Sequence, residues 1–214
     1  MIITEQKKLE KILENLKEAK SVYVIGCGRC ATSCETGGEK QVKEMAAKLK
    51  KKGKNVTGSK VIEAPCDDRL VVKDLKSEKK ALDSSDALLV MSCGAGVQTV
   101  AELIDNSVYP ALESLFLGRT KRLGKFYEMC AMCGECVLEE TAGICPVARC
   151  SKHLLNGPCG GSHKGKCEVD DKYDCAWYLI FEKLKKQGKT AQLKKFMKPK
   201  DYSKVVRPRK IEYR

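Results

Sequence analysis

Apolar residues recur along the first half of the chain with two different periods. Leu9, Ile12, Leu13 and Leu16 fall at i, i+3, i+4 and i+7; so do Val42, Met45, Ala46 and Leu49, and so do Val97, Val100, Ala101 and Ile104. That spacing places each set on one face of a helix, so three amphipathic helices are predicted. Short apolar stretches lie between them, at Val22–Ile25, Lys60–Ala64 and Ala87–Met91, each flanked by turn or charge signals. Runs of this length read as buried strands. The charged stretch from Leu70 to Leu82 supplies the crossover between the second and third strands, with a weaker period. Alternating helices and strands imply a parallel sheet with right-handed crossovers. Residues 1–118 are therefore expected to form a small Rossmann-like α/β domain of three or four strands.

Beyond Gly118 this pattern lapses. GRTKRLGKFYEM reads as a basic connector, and eight cysteines follow between Cys130 and Cys175, together with six glycines and two prolines. Such a stretch cannot build a core from apolar area alone, so residues 119–184 are expected to be an irregular cysteine-rich module stapled by an inorganic group. A helix resumes near its end, with Asp174 as the N-cap and Trp177, Ile180, Phe181 and Leu184 at helical spacing. Trp177 and Phe181 read as core rather than as a redox relay. Residues 185–214 form a basic C-terminal tail without periodicity, expected to be an extended arm.

Composition sharpens the chemistry. The 214 residues include 13 cysteines. No apolar run approaches the ~20 residues of a membrane span, and the charged start MIITEQKKLEKILENLKEAK lacks the features of a secretory signal. The expectation is a cytoplasmic protein without a membrane span, in which disulfides are a poor reading of the cysteines and metal or iron–sulfur ligation a better one. The net charge of +13 suggests nucleic acid at first. From Phe181 onward, however, 13 Lys and Arg face 3 Asp and Glu, so the tail alone holds +10 of it. Charge between Cys130 and Cys175 is nearly balanced, and a nucleic-acid partner is not expected.

Five cysteines belong to the α/β region. Cys27, Cys30 and Cys34 follow the first strand in VIGCGRCATSCETGG, Cys66 follows the second in EAPCDD, and Cys93 the third in VMSCGAG. Parallel strands end on one edge, where ligands gather, so topology brings these residues together. Three in one turn plus one from each of two loops suit a four-cysteine cluster with one thiol to spare. The alternatives are zinc on the same thiolates, or Cys66 and Cys93 as small buried hydrophobes. GCGRC lacks the third glycine of a dinucleotide fingerprint, and the nearby Cys34 favours ligation over a thioredoxin-like Cys27/Cys30 pair.

In the second region, Cys130, Cys133 and Cys136 form C-x2-C-x2-C, followed by Cys145-Pro146, like a ferredoxin run with its last interval widened. Cys150, Cys159, Cys167 and Cys175 come next. Eight thiolates suit two 4Fe–4S clusters, with their assignment open and a pair of zinc ribbons as the alternative. His163 reads as a solvated residue, and His153 has no companion carboxylate or nucleophile for a general-base role.

Two stretches carry a family resemblance. CAMCGECVLEETAGICPVARCSKHLLNGPCGGSHKGKCEVDDKYDCAW resembles the methylenetetrahydrofolate reductase C-terminal domain, and GCGRCATSCETGGEK is similar to the opening of MetV proteins. MetV proteins are small iron–sulfur subunits that accompany a MetF-type flavoprotein in anaerobes. The resemblance spans about residues 22–184. It implies cluster ligation by Cys130, Cys133, Cys136, Cys145, Cys150, Cys159, Cys167 and Cys175, and by most of Cys27, Cys30, Cys34, Cys66 and Cys93. The implied cofactors are two or three 4Fe–4S clusters, with zinc in one site left open. FMN and the folate site would lie on MetF, and this chain would relay electrons to the flavin for methylenetetrahydrofolate reduction. The residues agree on one point, since no phosphate-cradling loop, carboxylate pair or triad is present. The tail would either clamp the flavoprotein or steer an acidic donor such as ferredoxin, or it would be a solvated arm. A zinc-stapled docking scaffold without a redox role is the competing function.

Overall fold

Val22 and Val24 face one side of a strand while Tyr23 and Ile25 face the other, and all four are fully buried. This alternation puts a hydrophobic core on each face of a parallel sheet in the computed structural model, which describes residues 1–213. Arg214, the last residue of the expected tail, lies outside the described residues. The chain divides into two compact units, Met1–Tyr127 and a second from Glu128 onward.

The first unit opens with β1 (Ile2–Gln6) and α1 (Leu9–Asn15), followed by β2 (Ser21–Cys27), α2 (Cys30–Ser33) and α3 (Glu39–Lys51). Next come β3 (Asn55–Ile62), α4 (Asp68–Leu75), α5 (Lys79–Asp83), β4 (Ala87–Met91), α6 (Gly94–Leu103) and β5 (Ser107–Pro110). The last four strands named form a parallel sheet of order β3-β2-β4-β5. Ile12, Val42, Met45 and Leu49, from α1 and α3, pack against Val22, Val24 and Leu89 on one face. Val71, Leu75, Leu82 and Val100, from α4, α5 and α6, cover Tyr23, Ile25, Leu88 and Val90 on the other. Each such fully buried aliphatic side chain contributes about 1.5–3 kcal/mol of transfer free energy.

The α/β expectation of three or four parallel strands therefore holds, with differences at the margins. The second strand spans Asn55–Ile62 rather than residues 60–64. It is an edge strand whose only fully buried residue is Ile62, so its apolar signal is confined to its end. The opening segment contains β1, which pairs antiparallel with β6 (Leu112–Arg122), Ile2 opposite Leu117 and Gln6 opposite Leu112. The expected basic connector is itself strand: β6 turns through Leu123–Gly124 into β7 (Lys125–Cys130). Gly124 has φ +71°, as the second residue of a two-residue hairpin turn often requires.

The second unit has little regular structure. Its helices are α7 (Pro146–Arg149) and α8 (Ala176–Lys186). Ile144, Trp177, Ile180 and Leu184 form its core, and Trp177 Nε1 donates to the Leu154 carbonyl at 3.0 Å. The buried stripe of α8 omits Phe181, which is 39% exposed, so of the two aromatics expected in the core only Trp177 is there. Asp174 does not cap α8. Cys175 holds the N-cap position, and the Asp174 carboxylate pairs with Lys166 at 2.7 Å. Among the described residues no helix is long and apolar enough to cross a membrane.

Candidate functional site

The order β3-β2-β4-β5 reverses direction between β2 and β4, and in open α/β sheets ligands bind outside the carboxyl ends of the strands at that point. Cysteines occupy this edge. Cys27 ends β2, Cys30 opens α2, Cys66 lies between β3 and α4, and Cys93 is the N-cap of α6 immediately after β4. Burial pushes the Cys27 thiol up, the Ala31 and Arg29 backbone amides oppose it, and the nearby Cys30 and Cys93 sulfurs add to the rise. Cys66 is exposed as a residue, yet partial burial of its sulfur raises it, as do Cys93, Cys27 and Cys30. These four sulfurs are thus close enough to feel one another's charge. Cys34 stands one helical turn beyond Cys30. It is buried, and its Sγ lies 3.8 Å from the carbonyl oxygen of Ile2 in β1.

Backbone packing holds the edge together. The Cys27 amide donates to Gly37 O at 2.9 Å, the Gly28 amide to Ile62 O at 2.8 Å, and Thr32 Oγ1 to Cys27 O at 2.7 Å. A Cβ on Gly37 would strike the carbonyl oxygen of Met91, so glycine alone lets the turn after α2 meet the end of β4. Gly96 likewise leaves room for Pro65 and Ser92, bringing the Cys66 loop beside the Cys93 loop. An Arg29–Glu63 ion pair ties the loops after β2 and β3.

In the second unit, Cys150, Cys159, Cys167 and Cys175 line a single cavity together with Arg149, Lys152 and Trp177. Cys175 sits at the N-terminus of α8, where the first-turn amides lack intrahelical partners. The Ser151 hydroxyl and the Val169 and Asp170 amides face Cys167 and hold its thiol below the ordinary value. Glu168 pairs with Lys152, and its Oε1 lies 3.6 Å from the Cys159 sulfur.

The C-x2-C-x2-C stretch winds through two left-handed positions, Met132 (φ +52°) and Gly134 (φ +76°). The Met132 amide donates to Cys130 Sγ at 3.3 Å. Burial alone would raise the Cys133 thiol, but the Glu135 amide and the Lys200 ammonium outweigh it and hold the thiol below its usual value. Cys145 is the N-cap of α7, with Pro146 at its first position. His153 Nδ1 is 2.6 Å from Val147 O, a contact that ties down its own loop. Among the described residues no group of three or more His, Cys, Asp and Glu side chains is arranged to hold a metal ion. The case for ligation rests on donor chemistry and placement.

Residues 109–203 match the family described as Methylene-tetrahydrofolate reductase C terminal. This segment belongs to that family. It contains all eight cysteines from Cys130 to Cys175, so the resemblance read from those residues holds, and this part of the chain is methylenetetrahydrofolate reductase-related. No curated protein and no solved structure matches the chain. The reductase C-terminal domain also includes two residues that sequence reasoning passed over, Glu135 and Lys200. Glu135 sits within the motif at C-G-E-C, where an acidic residue between two ligand candidates was the available signal. Lys200 is one lysine among many in the tail and gives no local signal, yet it is 8% exposed. The tail is accordingly not a free arm along its whole length. Lys195 pairs with Glu140 at 2.6 Å, and Asn156 exchanges two hydrogen bonds with the Met197 backbone.

Proposed function

We propose that this chain is the electron-relaying subunit of a methylenetetrahydrofolate reductase, passing electrons to the FMN of a MetF-type flavoprotein that reduces 5,10-methylenetetrahydrofolate to 5-methyltetrahydrofolate. The observation that carries this reading is the gathering of Cys150, Cys159, Cys167 and Cys175 around one cavity inside the reductase-related segment. The sheet edge supports it independently, since four thiols from three separate loops neighbour one another at the switch point.

The residues present fit 4Fe–4S groups in their donor chemistry, since every donor is a thiol, and Gly37 and Gly96 let the cysteine-bearing loops of the sheet edge approach closely. Cys27, Cys30, Cys66 and Cys93 would hold one, leaving Cys34 as the spare thiol. Cys150, Cys159, Cys167 and Cys175 would hold a second, and Cys130, Cys133, Cys136 and Cys145 a third. Zinc in one of the three remains the competing occupant. Such groups carry single electrons, which a flavin collects in pairs for hydride transfer.

The chain's own residues set the environment. The Met132 amide donates to Cys130, and the Ser151 hydroxyl faces Cys167 and favours its thiolate. The helix termini at Cys93 and Cys175 favour negative charge at their first turns. The partner would be the flavoprotein, with ferredoxin or another electron-donor subunit upstream. The test is anaerobic mixing of the dithionite-reduced, desalted chain with an oxidised MetF-type flavoprotein, followed by flavin absorbance. Bleaching of FMN by the reduced chain, absent with the oxidised chain, is expected. A flavin that stays oxidised in the presence of reduced chain contradicts the relay.

A further inference from the structure

The tail lysine Lys200 is 8% exposed, a placement that costs free energy unless its charge is met. Its Nζ donates to the carbonyl oxygen of Glu135. The Cys133 sulfur lies 3.3 Å from that same oxygen. Two other tail lysines that pack on this unit have carboxylate partners, Lys204 the Glu135 side chain at 2.6 Å and Lys195 that of Glu140. Among the described residues Lys200 makes no ion pair of its own. The strap around it is built in detail. The Asp201 amide donates to Glu135 Oε2 at 2.9 Å, and Arg209 Nη1 donates to Met132 O at 3.2 Å. A Cβ on Gly134 would lie 3.1 Å from Lys204 Cβ, so residues 200–209 close directly over the C-x2-C-x2-C turn.

We infer that Lys200 is a positioning residue that sets the electrostatics of the Cys130–Cys136 site, its buried ammonium raising the reduction potential of the group bound there. This rests on the iron–sulfur reading above. Reduction of a thiolate-ligated group adds one electron and therefore one negative charge, and a fixed cation stabilises the reduced form more than the oxidised one. The buried charge and the thiolate-bound group then offset one another's desolvation, and the strap exists to hold the cation in place.

The experiment is an anaerobic redox titration of the full chain, followed by electron paramagnetic resonance, for wild type, Lys200→Met and Lys200→Arg, each assayed for iron and sulfide. Lys200→Met should move one titrating species to lower potential by at least tenfold in its one-electron equilibrium, about 59 mV. The remaining species should hold, and Lys200→Arg should titrate like wild type. Full iron and sulfide in Lys200→Met with unmoved potentials overturns the inference alone, and so do equal shifts in both variants, which would mean packing rather than charge. Loss of one site's iron in Lys200→Met with retention in Lys200→Arg supports the requirement for charge; loss in both overturns it. Wild-type chain without iron and sulfide overturns this inference together with the relay reading.

Discussion

Gly37 lies against the backbone carbonyl of Met91, so that the turn closing the first cysteine loop rests on the end of β4. Gly37 lies in the crossover that follows β2 and Met91 ends β4, and their approach sets how close the Cys27 and Cys30 loop comes to Cys93. Gly37 O also accepts the Cys27 amide at 2.9 Å, so the same residue fixes the end of β2. Sheet topology chooses the edge, and a missing side chain sets the spacing along it.

Replacing Gly37 with alanine should therefore force the turn and β4 apart. Overpacking of this kind costs about 1–3 kcal/mol. Thermal unfolding of Gly37→Ala should show a lower midpoint, with metal lost from the sheet-edge site and retained by the Cys130–Cys175 sites. Wild-type stability and loading would mean that the backbone shifts at no cost.

The spare thiol offers a sharper contrast. Cys34 sits buried beside Ile2 O. Cys34→Ser should retain the full iron and sulfide content of wild type, whereas Cys66→Ser should lose about four iron per chain, one cluster's worth. Equal loss in both variants would place Cys34 among the ligands.

Trp177 and Phe181 lie on the same helix with opposite fates. Trp177 is 5% exposed and donates its indole N–H to Leu154 O, whereas Phe181 faces outward. Trp177→Ala should destabilise the second unit by about 3–5 kcal/mol. Phe181→Ala should fall within about 0.5 kcal/mol of wild type. Urea unfolding of anaerobically prepared protein, followed by circular dichroism, measures both.

The parts of this architecture that the sequence displays are those with a local physical signal. Strands β2 and β4 are buried on both faces and read as unbroken apolar runs, and α1, α3 and α6 carry an apolar stripe near their full length. Strand β1 escapes because its partner β6 is more than a hundred residues away and its few apolar residues merge into a charged helix. The β6–β7 hairpin escapes because its polar, lysine-rich strands resemble a linker. At the site, the convergence of Cys27, Cys30, Cys66 and Cys93 follows from parallel topology and is legible. The seat of Cys34 beside Ile2 O is not, because it depends on β1. The seat of Lys200 on Glu135 is a contact between residues 65 apart, with nothing in the tail to mark that lysine from its neighbours.

The central claim is that the cysteines hold redox-active iron–sulfur groups. Iron, zinc and acid-labile sulfide per chain, measured on anaerobically purified protein together with electron paramagnetic resonance after dithionite, test it most directly. The account predicts about 8–12 iron with matching sulfide and a signal that appears on reduction, as two or three 4Fe–4S groups require. Zinc alone, without sulfide or a reducible signal, would contradict it and leave a thiolate-stapled scaffold, since zinc carries no redox chemistry.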